Sequence, residues 1–91
     1  MTTFPTFNGA TTDQWQQLVG CNGAQKLRGS ISNAGVLINF ALAGFTIPSW
    51  ESSDEPYLPS LFSIVRPFIA VRFKSLVAGV PAQLTLIPAL Q

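Results

Sequence analysis

The stretch Phe68-Ile-Ala-Val-Arg-Phe-Lys-Ser75 decides the fold. Ile69, Val71 and Phe73 alternate with Ala70, Arg72 and Lys74. A repeat of two sends successive side chains to opposite faces, so one face is apolar and the other wet, as in a half-buried strand. Upstream, Leu61 to Val65 begins another strand, and Pro67 marks a bulge, an edge or a turn because it has no amide hydrogen for a ladder. Downstream, Ala78, Gly79, Val80 and Pro81 form a connection and Gln83 to Ile87 a last strand, which predicts a closing antiparallel hairpin.

Earlier in the chain, the run GVLINFALAGF places Val36, Ile38, Phe40 and Leu42 on one face and Leu37, Asn39 and Ala41 on the other. Both faces are mainly apolar, which predicts a strand central in its sheet or covered on two sides. Periodicity alone leaves a short helix over Val36 to Ala43 open, but Gly35, Gly44 and the β-branched residues favour a strand. Ala34 to Ile47 covers 14 residues, fewer than the roughly 20 a spanning helix needs, so it reads as core rather than a membrane segment. Trp15 to Cys21 and Ala24 to Ile31 flank Asn22-Gly23, whose tolerance of positive φ predicts a type I′ hairpin. Ser32, Asn33 and Gly35 mark the next turn.

Two regions lack periodicity. Residues 46–60, TIPSWESSDEPYLPS, hold three prolines and three of the four acidic residues, and they predict a long loop without regular structure. Residues 1–13, MTTFPTFNGATTD, predict an extended N-terminal arm whose Phe4 and Phe7 dock either across a neighbouring subunit or on their own domain. The expectation is an all-β fold: a small antiparallel β-sandwich or barrel of about six strands over 14–91, preceded by the arm.

Composition bounds the function. Of the 91 residues 47% are hydrophobic and 10% charged, with a net charge of +1; an ordinary domain carries about 25% charged residues. So few ions leave apolar surface in view, and extended apolar patches mark contacts, so a homo-oligomer is expected. The cations Lys26, Arg28, Arg66, Arg72 and Lys74 form no clustered stripe, which argues against nucleic acid. No histidine is present, removing the commonest general base and metal ligand, and the single Cys21 excludes an intrachain disulfide. Lys26 and Lys74 sit in no catalytic motif, and no phosphate-binding glycine pattern occurs. The reading is non-enzymatic, with no cofactor. The polar start, Met1 to Asn8, lacks a secretory signal pattern.

The candidate contact residues are Phe4, Phe7, Trp15, Trp50 and Tyr57. Trp50 and Tyr57 flank Glu51, Asp54 and Glu55, and either stack on a sugar or partner side chain or cap the end of the sandwich. The acidic cluster lacks EF-hand spacing and reads as a solvated loop tip before a weak calcium site.

VRFKSLVAGVPAQLTL, Val71 to Leu86, resembles the terminal hairpin of small structural proteins of tailed-bacteriophage virions: a strand with basic residues, an Ala-Gly-x-Pro-Ala turn and a closing apolar strand. The resemblance covers 16 of the 91 residues and brings no site motif. It implies a decoration, collar, fibre-base or tail-associated subunit located in a virion, in contact with copies of itself and other virion proteins. The alternative is a carbohydrate- or receptor-binding module using Trp50, Tyr57 and the acidic loop.

Overall fold

The computed structural model describes residues 4–44 and 49–90, which form seven antiparallel strands. These are β1 (Phe7–Ala10), β2 (Gln16–Leu18), β3 (Ala24–Ser32), β4 (Val36–Leu42), β5 (Glu55–Tyr57), β6 (Ser60–Ser75) and β7 (Gln83–Ala89). They pair in the order β1-β7-β3-β6-β4-β5, with β2 also on β6.

β6 organises the molecule. Leu61–Val65 and Phe68–Ser75, expected as separate strands, are one strand of 16 residues running through Pro67. Straight, it would reach about 50 Å, yet the longest dimension of the molecule is 35 Å. It therefore bends. The bend lies around Pro67, where registers shift on both sides: opposite Arg66 and Pro67 between Ala24 and Lys26 of β3, and opposite Ile69 between Ala41 and Leu42 of β4. Proline withholds a ladder donor, so a bulge is the place it fits within a strand.

Residues 60–68 of β6 pair with β3, and residues 68–75 pair with β4. Asn33 to Gly35 join β3 to β4, although the ends they join lie at opposite ends of β6: Ile31 pairs with Ser60 and Val36 with Ser75. So short a link is possible only if β6 folds its two halves over one another. The sheet thus makes two layers, β1-β7-β3-β6 (first half) and β2-β6 (second half)-β4-β5. Leu27, Ile31, Leu84 and Leu86 of the first layer share one core with Val36, Ile38, Phe40, Val71 and Phe73 of the second. The all-β sandwich-or-barrel expectation holds.

Several local expectations do not. Asn22-Gly23 forms a turn, with Gly23 at φ +95° and the Ala24 amide donating to the Cys21 carbonyl at 2.8 Å. Its flanking strands do not pair with each other: β2 and β3 follow one another along the same edge of β6, at Val71–Phe73 and Ser60–Phe68. The turn is a kink between layers, not a hairpin. Nor does Phe68–Ser75 pair with Gln83–Ile87, because β3 lies between them; β7 pairs with β1 and β3. Val71 to Leu86 is an arch from one layer to the other, so the hairpin on which the phage resemblance was drawn is not formed.

The arm expected over 1–13 is, from Phe7 onward, part of the domain: Phe7–Ala10 is β1, paired with Gln83–Leu86. Phe4 and Phe7 pack on their own core, Phe7 with its ring 4.5 Å from Phe73. Of the loop expected over 46–60, residues 46–48 fall outside the described residues, but Glu55–Tyr57 makes a short strand. Pro56 is tolerated there because β5 is an edge. β4 is buried along most of its length, as expected of a strand covered on both sides.

Gly29 shows why β3 can be central. A Cβ at this position would lie 2.1 Å from the Thr85 carbonyl oxygen and 2.7 Å from the Phe62 ring. Only glycine admits that approach.

Candidate functional site

Four arrangements of side chains follow from this fold, and the expected contact residues are distributed among them.

The first is the outer face of the β6-β3-β7 layer. Cross-strand registers set Leu61–Ser30–Thr85, Ser63–Arg28–Ile87 and Val65–Lys26–Ala89 in rows. Phe62 and Ile64 pack on the core, so their neighbours Leu61 and Val65 face outward and are 85% and 61% exposed. Ile87 is exposed as well. An open groove of about 510 Å³ runs here between Leu61, Phe62, Arg28, Ser30, Thr85 and Ile87. Small side chains at Ser30 and Ser63 leave the space.

The second is a stack on the outer face of the other layer. Arg72 lies with its guanidinium carbon 4.7 Å from the ring centroids of both Trp15 and Trp50, and Lys74 Nζ is 4.8 Å from Trp15. Trp15 arrives just before β2, which pairs with Phe73 to Val71, and Trp50 arrives through its bridge to Ala41 of β4. Arginine over an indole face is attracted by the ring quadrupole. The two tryptophans are thus brought together around a cation that the sequence did not single out.

The third is a clasp. Arg66 Nη1 donates to Glu51 Oε1 at 3.2 Å and to Glu55 Oε1, and its guanidinium lies 4.7 Å from the Phe40 ring. Tyr57 donates its hydroxyl to Glu55 at 2.7 Å and stacks on Phe62, centroids 5.7 Å apart. Asn39 is buried and donates to Asp54 Oδ1 at 2.7 Å and to the Glu51 carbonyl, while its own Oδ1 accepts from the Glu51 amide. Burial raises the Glu55 pKa, but hydrogen bonds from Arg66 and Tyr57 and the guanidinium charge outweigh it and leave it lowered. Burial and the Glu55 carboxylate push the Tyr57 hydroxyl up to about 12. Hydrogen bonding to Glu55 raises Arg66 in turn.

The acidic residues are therefore not a solvated tip; they hold the Trp50–Tyr57 segment against β4 and β6. Among the described residues no group of three or more metal-ligating side chains converges. Trp50 and Tyr57 are also separated: they pair with Ala41 and Val36 of β4, a span of about 17 Å along a strand. Their rings have different partners, Arg72 and Phe62.

The fourth is neutral and buried. Thr11 receives at Oγ1 the Ala82 amide at 2.8 Å, lies 2.8 Å from Ser75 Oγ, and donates its own amide to the Ala82 carbonyl. The Ser75 amide donates to the Thr12 carbonyl. This knot ties the start of the chain to both layers. Cys21 is buried, hydrogen-bonded weakly to the Leu18 carbonyl, and burial raises its thiol to about 11, so it is a core residue rather than a nucleophile.

In comparisons with known proteins, no family model, no curated protein and no solved structure matches the chain.

Proposed function

We propose that the protein is a structural subunit that assembles through protein–protein contacts, with the outer face of the β6-β3-β7 layer as its contact surface. The observation that carries this reading is the exposure of Leu61, Val65 and Ile87 beside an open groove on one layer. Its total accessible area is 5146 Å², close to the ~5,200 Å² expected of a compact monomer of this mass. The molecule is no more extended than others of its size; what differs is that large apolar side chains stand in its surface. Its occupant is a second copy, because the face offers both aliphatic knobs and a groove to receive them, as a self-complementary dimer contact requires.

A virion setting belongs to the same proposal. It is supported by the likeness of the Val71–Leu86 sequence to phage structural proteins and not by the pairing of that segment. The proposed role needs no catalysis. A carbohydrate-binding role has weaker support, since Trp15 and Trp50 already stack on Arg72 and the acidic loop is held by Arg66 and Asn39.

Light scattering at rising concentration tests the assembly. The wild-type chain is expected to form an oligomer, and Leu61→Asp with Val65→Asp to return it to a monomer with unchanged circular dichroism. A wild-type chain that stays monomeric at millimolar concentration, and does not bind virion preparations, would overturn the reading.

A further inference from the structure

The charges are unevenly engaged. All four side-chain carboxylates have partners within the chain: Glu51 and Glu55 with Arg66, Asp54 with Asn39, and Asp13 with the Gly79 amide at 2.8 Å. Among the described residues, Arg66 alone of the five cations makes ion pairs. Lys26 and Arg28 are left to the outer face of one layer, Arg72 and Lys74 to that of the other. A chain with net charge +1 therefore presents cationic faces with its acidic groups committed elsewhere.

Arg72 differs from the other uncommitted cations in being fixed. Trp15 and Trp50 each lie 4.7 Å from its guanidinium carbon, and its Nε is buried without a hydrogen-bond partner. With two indoles 4.7 Å from the guanidinium carbon and Nε enclosed, hydrogen bonding to a ligand must run through the terminal Nη groups. Lys74, two residues along the strand, stands beside Trp15 and adds a second positive charge. The residues of this group are half-buried, so the stack is reachable from solvent.

We propose that Trp15, Arg72, Trp50 and Lys74 form a docking site for a carboxylate carried by an acidic segment of a protein partner. A guanidinium recognises a carboxylate through two parallel hydrogen bonds in one plane. A planar carboxylate approaching the Nη edge keeps its oxygens in that plane. A tetrahedral phosphate cannot keep all its oxygens in that plane, and two electron-rich indole rings stand close by to repel those outside it. Because the rings already hold the guanidinium, little side-chain freedom is lost on binding. The site lies on the layer opposite the proposed assembly face and stands whether or not that face assembles.

Trp15 and Trp50 are the two tryptophans of the chain, so intrinsic fluorescence reads this site directly. Titrating the full chain with tetraglutamate at fixed ionic strength is expected to give a saturable change with a dissociation constant of about 1 mM. Tetraglutamine should give none, and inorganic phosphate a constant at least about tenfold weaker. Arg72→Lys, which keeps the charge and loses the planar fork, should weaken tetraglutamate about tenfold; Lys74→Gln should weaken it about threefold, and it carries the test if the Arg72 variant is not folded by circular dichroism. Arg28→Gln, on the other layer, should leave it unchanged. The proposal is overturned by no saturable response, by phosphate binding as tightly as the peptide, or by Arg28→Gln weakening the peptide as much as Lys74→Gln does.

Discussion

The two places where the folded sheet meets itself are closed by different chemistry. At one, residues Thr11 and Thr12 tie the start of the chain to Ser75 of one layer and Ala82 of the other through buried, neutral hydrogen bonds of 2.8 Å. At the other, the Trp50–Tyr57 segment is held to β6 by Arg66, Glu51 and Glu55, whose side chains are 23% to 33% exposed. A buried neutral contact offers no water as a substitute partner when one group is removed, so its loss is expensive. A half-exposed ionic contact is softened by solvent and by salt. The same fold thus has one seam that should open only with the whole domain and one that should open locally.

The largest expected effect breaks the neutral seam. Thr11→Val keeps the shape of the side chain but leaves the buried Ala82 amide and Ser75 hydroxyl without their partner. A loss of about 3 kcal/mol in urea unfolding is expected, with cooperativity retained; a loss below about 0.5 kcal/mol would show that water replaces the hydroxyl and that the two seams do not differ in the way described.

Arg66→Met should cost less, about 1 to 2 kcal/mol, because Glu51 and Glu55 can turn toward solvent. Its signature is local: hydrogen exchange should quicken at the Glu51 and Leu42 amides, which pair across the Trp50 segment, and remain slow at Ala82 and Ser75. Equal acceleration at both seams would contradict their independence.

Acid and alkali sharpen the contrast with the smallest effects. The Glu55 pKa is lowered in the folded chain from 4.5, so its contribution is complete above pH 4.5 and is lost as pH falls through the folded value. The Tyr57 hydroxyl is raised from 10.0 to about 12, so its contribution is complete below pH 10 and is lost as pH rises toward 12. Tyr57 is the one tyrosine in the chain, so phenolate absorbance follows it without ambiguity. Its midpoint should fall back toward 10 in Arg66→Met only if the clasp opens, and exchange at Ala82 should not follow either titration. A wild-type midpoint near 10 would mean that the clasp does not enclose the ring.

Strand identity was legible because it is local. Alternation marked Val71 and Phe73 as inward-facing, and both are fully buried. Glycines and asparagines marked turns, and Gly23 and Asn33 do take positive φ. Even so, Ile69 is only half-buried beside buried Phe68 and Ala70, since it is the extra residue of a register shift against β4 that breaks the alternation. Thr11 gave no signal in a polar, aperiodic stretch, and its hydrogen-bond partners lie at Ser75 and Ala82, at the far end of the chain.

The sequence alone determined that this chain makes strands, where most of them run, and that it has too few charges to cover itself in the usual way. Tertiary structure alone decided which strands pair, that Asn22-Gly23 kinks instead of reversing the chain, and that Trp15 and Trp50 meet at Arg72 while the acidic residues meet at Arg66. The reason is range. A period of two is written in neighbouring residues, whereas the closure of a bent sheet depends on one 16-residue strand folding at Pro67 and carrying distant partners with it.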